Sequence, residues 1–267
     1  AIVKTAPFVS PERRPNGTYP RPLDYWGTSV SSQVSPFATL EGNKITSSAF
    51  NNVGEMFLAA DIAKGLTFRT SIGGNITYST NESFTAAYAT TNNLNNASAS
   101  DARSINLLNE NILSYTKSFN NVHDISVLAG SSYQKATSRN AALGVIAGSF
   151  ANEIIQTLNN ANISPTASNT TKSVWGLASY FARVNYAYKE KYLFAASYRT
   201  DGSSRFGPQS RWGAFPSASV AWRVSQEDFL RNSSVISDLK LRASYGVVGN
   251  FNIGDFRYLG GIGQTFY

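Results

Sequence analysis

The strongest constraint in this chain is a period of two carried over unusually long runs. From Val174 to Tyr188 the even positions read Val174, Gly176, Ala178, Tyr180, Ala182, Val184, Tyr186 and Tyr188, while Ser179, Arg183 and Asn185 fall on odd positions. Successive side chains of a strand point to opposite faces, so one face is apolar and the other polar. After Lys189, Glu190 and Lys191 the chain returns with Tyr192, Phe194, Ala196 and Tyr198 on even positions and Ser197, Arg199 and Asp201 on odd ones. Folding about Glu190 pairs even with even and keeps both apolar faces on one side, as a hairpin requires.

Three further hairpins pass the same test. Gly54, Met56, Leu58, Ala60 and Ile62 turn through Ala63 to Gly65 into Leu66, Phe68, Thr70, Ile72, Gly74, Ile76 and Tyr78, with Glu55, Asp61, Arg69, Ser71, Asn75 and Thr77 alternating. Leu113, Tyr115 and Phe119 turn through Asn120 to His123 into Ile125, Val127, Ala129 and Tyr133; this pair is the least regular, because Asn109, Asn111 and Lys117 share its apolar face. Ala218, Val220, Trp222 and Val224 are followed, after a longer turn, by Leu239, Leu241, Ala243, Tyr245 and Val247. Residues 1–48 read as an extracellular loop or linker rich in proline, and 49–267 as a barrel region with hairpins at about 53–79, 107–137, 173–201 and 214–249.

Alternation alone fits a half-buried strand of a soluble protein equally well. Strand length and loop asymmetry separate the two cases. Soluble strands usually run about five or six residues, whereas about ten residues tilted by about 45° span on the order of 23 Å, close to the apolar band of an outer-membrane barrel. Connections alternate between short, after Ile62, Phe119 and Tyr188, and long, from Asn81 to Arg103, Ser138 to Lys172 and Gly202 to Gly213. Outer-membrane barrels place short turns in the periplasm and long loops outside. Tyr186, Tyr188, Tyr192 and Trp222 cluster at short-turn ends, where an interfacial aromatic girdle lies. The expected fold is all-β, an antiparallel transmembrane β-barrel of which about eight or nine strands are present.

Composition narrows the function. No stretch approaches the roughly twenty apolar residues of a membrane helix, and 42% hydrophobic residues exclude disorder. With no cysteine and a single histidine, His123 in a turn, the chain lacks thiolate or histidine clusters for a metal and has no cysteine nucleophile. Glu227 and Asp228 are adjacent rather than facing across a cleft, and Gly261-Ile262-Gly263 lacks the rest of a dinucleotide fingerprint. Neither an enzyme nor a cofactor is expected. The formal charge of +7 is carried in part by Arg69, Arg183, Arg199, Arg223, Lys240 and Arg242, all on the polar face. No nucleic-acid module accompanies them; in a barrel that face lines the lumen, where these bases would meet a plug domain's carboxylates or an anionic or hydroxyl-rich solute.

Several stretches are specific enough to carry a family resemblance: Tyr198-Arg199-Thr200-Asp201-Gly202-Ser203-Ser204-Arg205-Phe206-Gly207, Trp212-Gly213-Ala214-Phe215-Pro216-Ser217-Ala218-Ser219, Leu239 to Gly246, Gly249-Asn250, and His123 to Gly130. They resemble the barrel of SusC/RagA-type TonB-linked outer-membrane transporters. The resemblance is concentrated over Ser173 to Tyr258. It implies a piece of a larger, 22-stranded barrel in a bacterial outer membrane, in contact with membrane lipid, closed by a plug, energised by the TonB–ExbB–ExbD complex through N-terminal regions absent from this sequence, and capped by a SusD-like lipoprotein that delivers glycans or peptides. It also marks Asp201, Gly202, Ser203, Ser204, Arg205, Phe206, Gly207, Phe215, Pro216, Gly246, Gly249 and Asn250 as structural. Gly202 and Gly207 are expected to permit unusual backbone angles, Asp201, Ser203 and Ser204 to bond local amides, and Phe215-Pro216 to open a strand. Ser225 to Asp228 reads as a capping box for a short helical turn. Tyr88 and Phe150 in the long loops suit stacking on sugar rings or anchoring the loops.

Two other readings fit part of the pattern. One is a small autonomous outer-membrane barrel serving as adhesin or structural anchor; the other is a secreted β-sandwich with a binding face.

Overall fold

A computed structural model describes residues 12–21, 24, 34–231, 235–255 and 257–258. After a short helix, α1 (Pro36–Gly42), eight strands follow: β1 (Asn43–Ala63), β2 (Leu66–Thr85), β3 (Asn96–Phe119), β4 (His123–Gly144), β5 (Asn169–Tyr188), β6 (Tyr192–Ser203), β7 (Trp212–Arg223) and β8 (Lys240–Gly246). They form one antiparallel sheet in sequence order, with β1 and β8 at its two edges. The ninth strand that the expected count of eight or nine allows is not among the described residues.

Parity holds where the register is seen directly. Tyr188 faces Tyr192, Tyr186 faces Phe194 and Val184 faces Ala196, so even meets even across β5 and β6. On β6 the even positions are exposed and the odd ones half-buried in strict alternation from Tyr192 to Tyr198.

Two of the short turns share one geometry. Asn120-Asn121-Val122 and Lys189-Glu190-Lys191 each place their first two residues at positive φ, 54° and 53° in one and 51° and 56° in the other. Each closes when the N–H of its third residue donates to the carbonyl before the turn, Val122 to Phe119 and Lys191 to Tyr188, both at 3.0 Å. This turn hand matches the twist of the flanking strands and favours asparagine and glycine. The Asn pair suits it; lysine and glutamate do not.

Strands run farther toward the long loops than alternation marks. β1 begins at Asn43, ahead of the expected boundary at residue 48, and the long connections shrink to 86–95 and 145–168. The added segments are rich in serine, threonine and asparagine and are tied by side-chain ladders: Ser47 Oγ donates to Asn81 at 2.9 Å, Thr77 Oγ1 to Asn51 at 2.9 Å, and the Ser83 and Ser98 hydroxyls meet at 2.8 Å. Apart from Phe84 and Ala97, which enter a small local core, their side chains carry no apolar alternation, so pairing continues while the period of two vanishes.

The chain divides into two compact units. The first comprises Ala1–Asn52, Ile76–Ser104 and Ser138–Lys172. Its core is Phe84, Ala86, Ala97, Val145 and Phe150, with the Phe84 and Phe150 rings edge to face at 5.2 Å. Phe150 is therefore a loop anchor rather than a free stacking surface. Arg21, also buried, donates to the carbonyls of Tyr88, Thr90 and Thr91 and so holds the β2–β3 loop. The second unit comprises Val53–Asn75, Ile105–Thr137 and Ser173–Tyr267 and carries the alternating faces.

Left-handed backbone costs an ordinary residue about 1–2 kcal/mol, so replacing Lys189-Glu190 with Asn-Gly (K189N/E190G) should stabilise the intact protein by about 1–2 kcal/mol. Urea unfolding in detergent micelles measures this, and unchanged stability would contradict it.

Candidate functional site

The polar face of the second unit is assembled strand by strand. Arg183 on β5 faces Ser197 on β6, which faces Ser217 on β7, and Arg199 faces Phe215. Arg223 stands directly opposite Lys240, and Ala221 opposite Arg242. Five of the six predicted basic residues thus share one face of β5–β8, while Arg69 lies on the face of the β1–β2 hairpin that carries Glu55.

Charge pairing divides them. Arg69 reaches Glu55 at 3.2 Å and lies 4.4 Å over the Phe57 ring. Arg199 pairs with Asp201 at 2.7 Å and donates to Ser179 Oγ at 3.0 Å. Arg183 donates only to the neutral Asn185, at 3.2 Å. Among the described residues Arg183, Arg223, Lys240 and Arg242 have no carboxylate within ion-pair distance. Like charges directly opposite on neighbouring strands repel, so the Arg223–Lys240 pair lacks local compensation. Arg183, Lys240 and Arg242 line a hollow of about 410 Å³ together with Asn185, Ser219 and Asp124. The surface is open, basic and lined by hydroxyl groups, the donors that anions and polyols accept from.

The family-like residues are structural for reasons that differ from those expected. Gly202 and Gly207 are not at positive φ. Gly202 instead faces Trp212, whose ring lies over it so closely that a Cβ would meet Cε2 at 2.7 Å. Gly249 leaves room for the Phe215 ring, which a Cβ would meet at 2.2 Å, and Gly246 lies against Ser217. Pro216 sits inside β7, opposite Tyr198, rather than at its start. Its carbonyl accepts from Val247 N–H, and because both backbone groups of a strand residue face the same neighbour, the missing N–H points to the side where β8 pairing stops at Gly246.

Ser204 does more than bond a local amide: its N–H donates to the Gly176 carbonyl at 2.9 Å and its Oγ accepts from Gly176 N–H at 2.8 Å, locking the β6 end onto β5. Ser203 Oγ accepts from Arg205 N–H at 3.3 Å, and Phe206 N–H returns to the Ser203 carbonyl. Arg205 then clasps the segment beyond β8. It reaches Asp255 at 2.7 Å and Asn252 Oδ1 at 2.9 Å and lies 4.7 Å over the Trp175 ring. Asp255 also accepts from Ser173, and these donors hold its carboxyl below the ordinary aspartate range. Asn250 turns this segment by accepting from Asn252 N–H at 2.8 Å. Nothing local in the sequence marks Asp255 as the partner of a residue 50 positions away.

A second cluster escaped sequence reasoning at the short-turn end. Glu227 accepts from Trp222 Nε1 at 3.0 Å, Tyr192 Oη at 2.8 Å and Lys191 Nζ at 3.0 Å. The Trp222 donor, followed by Lys191 and Tyr192, pushes its carboxyl down to about 2, and the same carboxylate raises Lys191. The ring it fixes belongs to a stacked row: Tyr192 and Trp222 at 6.4 Å, Tyr188 and Tyr192 at 6.2 Å, with His123 5.1 Å from Tyr188. Ser225 is not a helix cap; its hydroxyl donates to Asp238 at 3.0 Å, and its N–H to the Leu239 carbonyl.

Sheet order, loop asymmetry and face polarity are those of one stretch of barrel wall, and comparison with known proteins agrees. Residues 7–265 match the family described as TonB dependent receptor-like, beta-barrel. The chain belongs to this family. TonB-dependent receptor P39 of Formosa agariphila is 37% identical over 223 residues, covering 81% of this chain and 20% of that protein. TonB-dependent receptor SusC of Bacteroides thetaiotaomicron is 33% identical over 233 residues, covering 86% of this chain and 22% of that one. The chain thus spans about a fifth of the length of these relatives. The solved RagAB peptide transporter superposes with a TM-score of 0.77 at 23% identity, over 86% of this chain and 26% of the other, a likeness of fold. A β-sandwich needs two sheets, whereas the described residues form one, and a closed eight-stranded barrel needs β1 bonded to β8, which sit at opposite edges.

Two outcomes follow. Gly202→Ala should cost the intact receptor barrel about 1–3 kcal/mol by overpacking, whereas Gly54→Ala, with no atom within 4 Å of its Cβ, should cost nothing measurable in the same unfolding assay. Glu227 has a folded pKa below its unfolded one, so the unfolded chain binds its proton first. Its stabilisation is complete above the ordinary value of 4.5 and is lost as pH falls toward about 2. Wild type should therefore lose stability relative to Glu227→Gln across that window, and parallel pH profiles would contradict the assignment.

Proposed function

We propose that this chain is a stretch of the wall of a TonB-dependent outer-membrane transporter that imports an oligomeric nutrient, a glycan or a peptide. In this reading a SusD-like surface lipoprotein delivers the cargo, the TonB–ExbB–ExbD complex supplies the energy, and the chain is not an enzyme. The carrying observation is the polar face: Arg183, Arg223, Lys240 and Arg242 stand without carboxylate partners among the described residues, on a sheet whose opposite face is apolar and ringed by stacked aromatics at its short-turn end. A lumen wall of this kind completes its charge balance with groups from outside the sheet, either carboxylates of a plug or an anionic or hydroxyl-rich solute. The relatives are named as TonB-dependent receptors, which supports energised import. Short turns then face the periplasm and long loops the exterior.

The test is uptake in the parent bacterium with the intact gene. Deleting the gene should abolish growth on one class of oligomer, and loss of TonB should do the same. R183E/R242E should reduce uptake at least about tenfold while leaving the amount of protein in the outer membrane unchanged. Uptake that persists without TonB, or is untouched by deletion on both oligosaccharide and peptide media, would overturn the reading.

A further inference from the structure

The first unit carries a row of cations whose position the transport reading does not use. The Ser104 and Ser138 hydroxyls meet across β3 and β4, which sets Arg103 directly opposite Arg139. Arg139 on β4 and Lys172 on the neighbouring β5 line the same hollow, which sets the two side by side. Thr77 bonds Asn51 across β1 and β2, which sets Tyr78 opposite Phe50. Arg103 itself lies 5.2 Å over the Tyr78 ring. The row across five strands therefore reads Phe50, Tyr78, Arg103, Arg139, Lys172: two aromatics and then three cations.

Cβ atoms of directly opposed residues are about 4.5–5.5 Å apart, and like charges so placed destabilise a sheet. None of the three cations has an ion-pair partner among the described residues. All three, with Tyr78 and Asp101, line one open hollow of about 590 Å³, and one carboxylate against three cations leaves an excess of two positive charges. A negatively charged partner from outside the sheet would balance it.

Alternation fixes which side the row faces. Along β3, Arg103 has the parity of Ile105, Leu107 and Leu113; along β5, Lys172 has the parity of Val174, Tyr180 and Val184. This is the apolar face, turned toward lipid in the outer-membrane reading on which the inference rests, and not the lumen face that carries Arg183 and Arg199. The row ends on two exposed rings, Phe50 and Tyr78, and aromatic rings beside cations are the side chains of a membrane–water interface, where lipid phosphates lie.

We infer that Arg103, Arg139 and Lys172 form a docking site for the phosphate groups of an anionic lipid of the outer leaflet, with the Tyr78 and Phe50 rings beside it at the interface. Arginine forks match phosphate oxygens, and Arg103 is held for this by the ring beneath it. Lipid phosphate supplies the negative charge the row lacks and relieves repulsion between three opposed cations.

The intact protein, extracted into detergent micelles, is titrated with bisphosphorylated lipid A and with the same lipid stripped of phosphate, and bound lipid is counted by native mass spectrometry. The phosphorylated lipid should bind at least about tenfold more tightly. R103Q/R139Q/K172Q should lose that preference, whereas Arg139→Lys, which keeps the charge, should retain it. Equal binding of the two lipids, or an unchanged preference in the triple variant, would overturn the site. Displacement of the lipid by inorganic phosphate alone would also overturn it, marking a site for free anions. Cell fractionation separates the two levels: protein absent from the outer membrane defeats the location itself, while protein present there without a phosphate preference defeats only the lipid site.

Discussion

Everything in this sheet depends on the inter-strand hydrogen-bond ladder. In hydrocarbon no water is available to an unpaired N–H or carbonyl, so a strand can cross lipid only when both its edges are bonded. The ladder is continuous from β1 to β8 and ends on two edges. Those edges are the least tolerable feature of the sheet in a membrane, because their backbone groups lack the bonded neighbour that every inner strand has. With backbone groups satisfied by neighbours, side chains are free to specialise by face, and the alternation of apolar and polar residues is the record of that freedom.

That alternation made the central fold legible. Even-with-even pairing about Glu190 was readable because one face of β5 and β6 meets an apolar medium and the other does not, and a one-residue slip would exchange them. Legibility failed where the medium became uniform. At Asn43–Ser48, Ser79–Thr85 and Asn96–Ser104 polar residues dominate and the apolar ones, such as Phe84 and Ala97, keep no period, so the strands continue through serine, threonine and asparagine ladders that resemble loop composition. Composition reports solvent, whereas pairing reports backbone geometry, and the two part company at the membrane surface.

The site was legible in the same uneven way. Parity alone put Arg183, Arg199, Lys240 and Arg242 on the polar face, but which of them carries a free charge depends on neighbours two residues or a strand away: Asp201 neutralises Arg199, whereas among the described residues no carboxylate lies within ion-pair distance of Arg242. The glycines were misread for a physical reason. Sequence suggests a glycine beside aspartate and serine as a turn, yet Gly202 is needed because the Trp212 ring lies across the backbone of the neighbouring strand. Contacts that close long loops, such as Arg205 to Asp255, leave no periodic trace at all.

Glu227 in the second unit and the cation row in the first treat charge by opposite means. Around Glu227 one carboxylate is surrounded by three donors that fix it and tie Trp222 and Tyr192 into one layer. In the first unit Arg103, Arg139 and Lys172 are set side by side with too little counter-charge. The carboxylate cluster is internally complete and positions its strands through their aromatics; the cation row is complete only with a partner, and an anionic lipid would supply what it lacks.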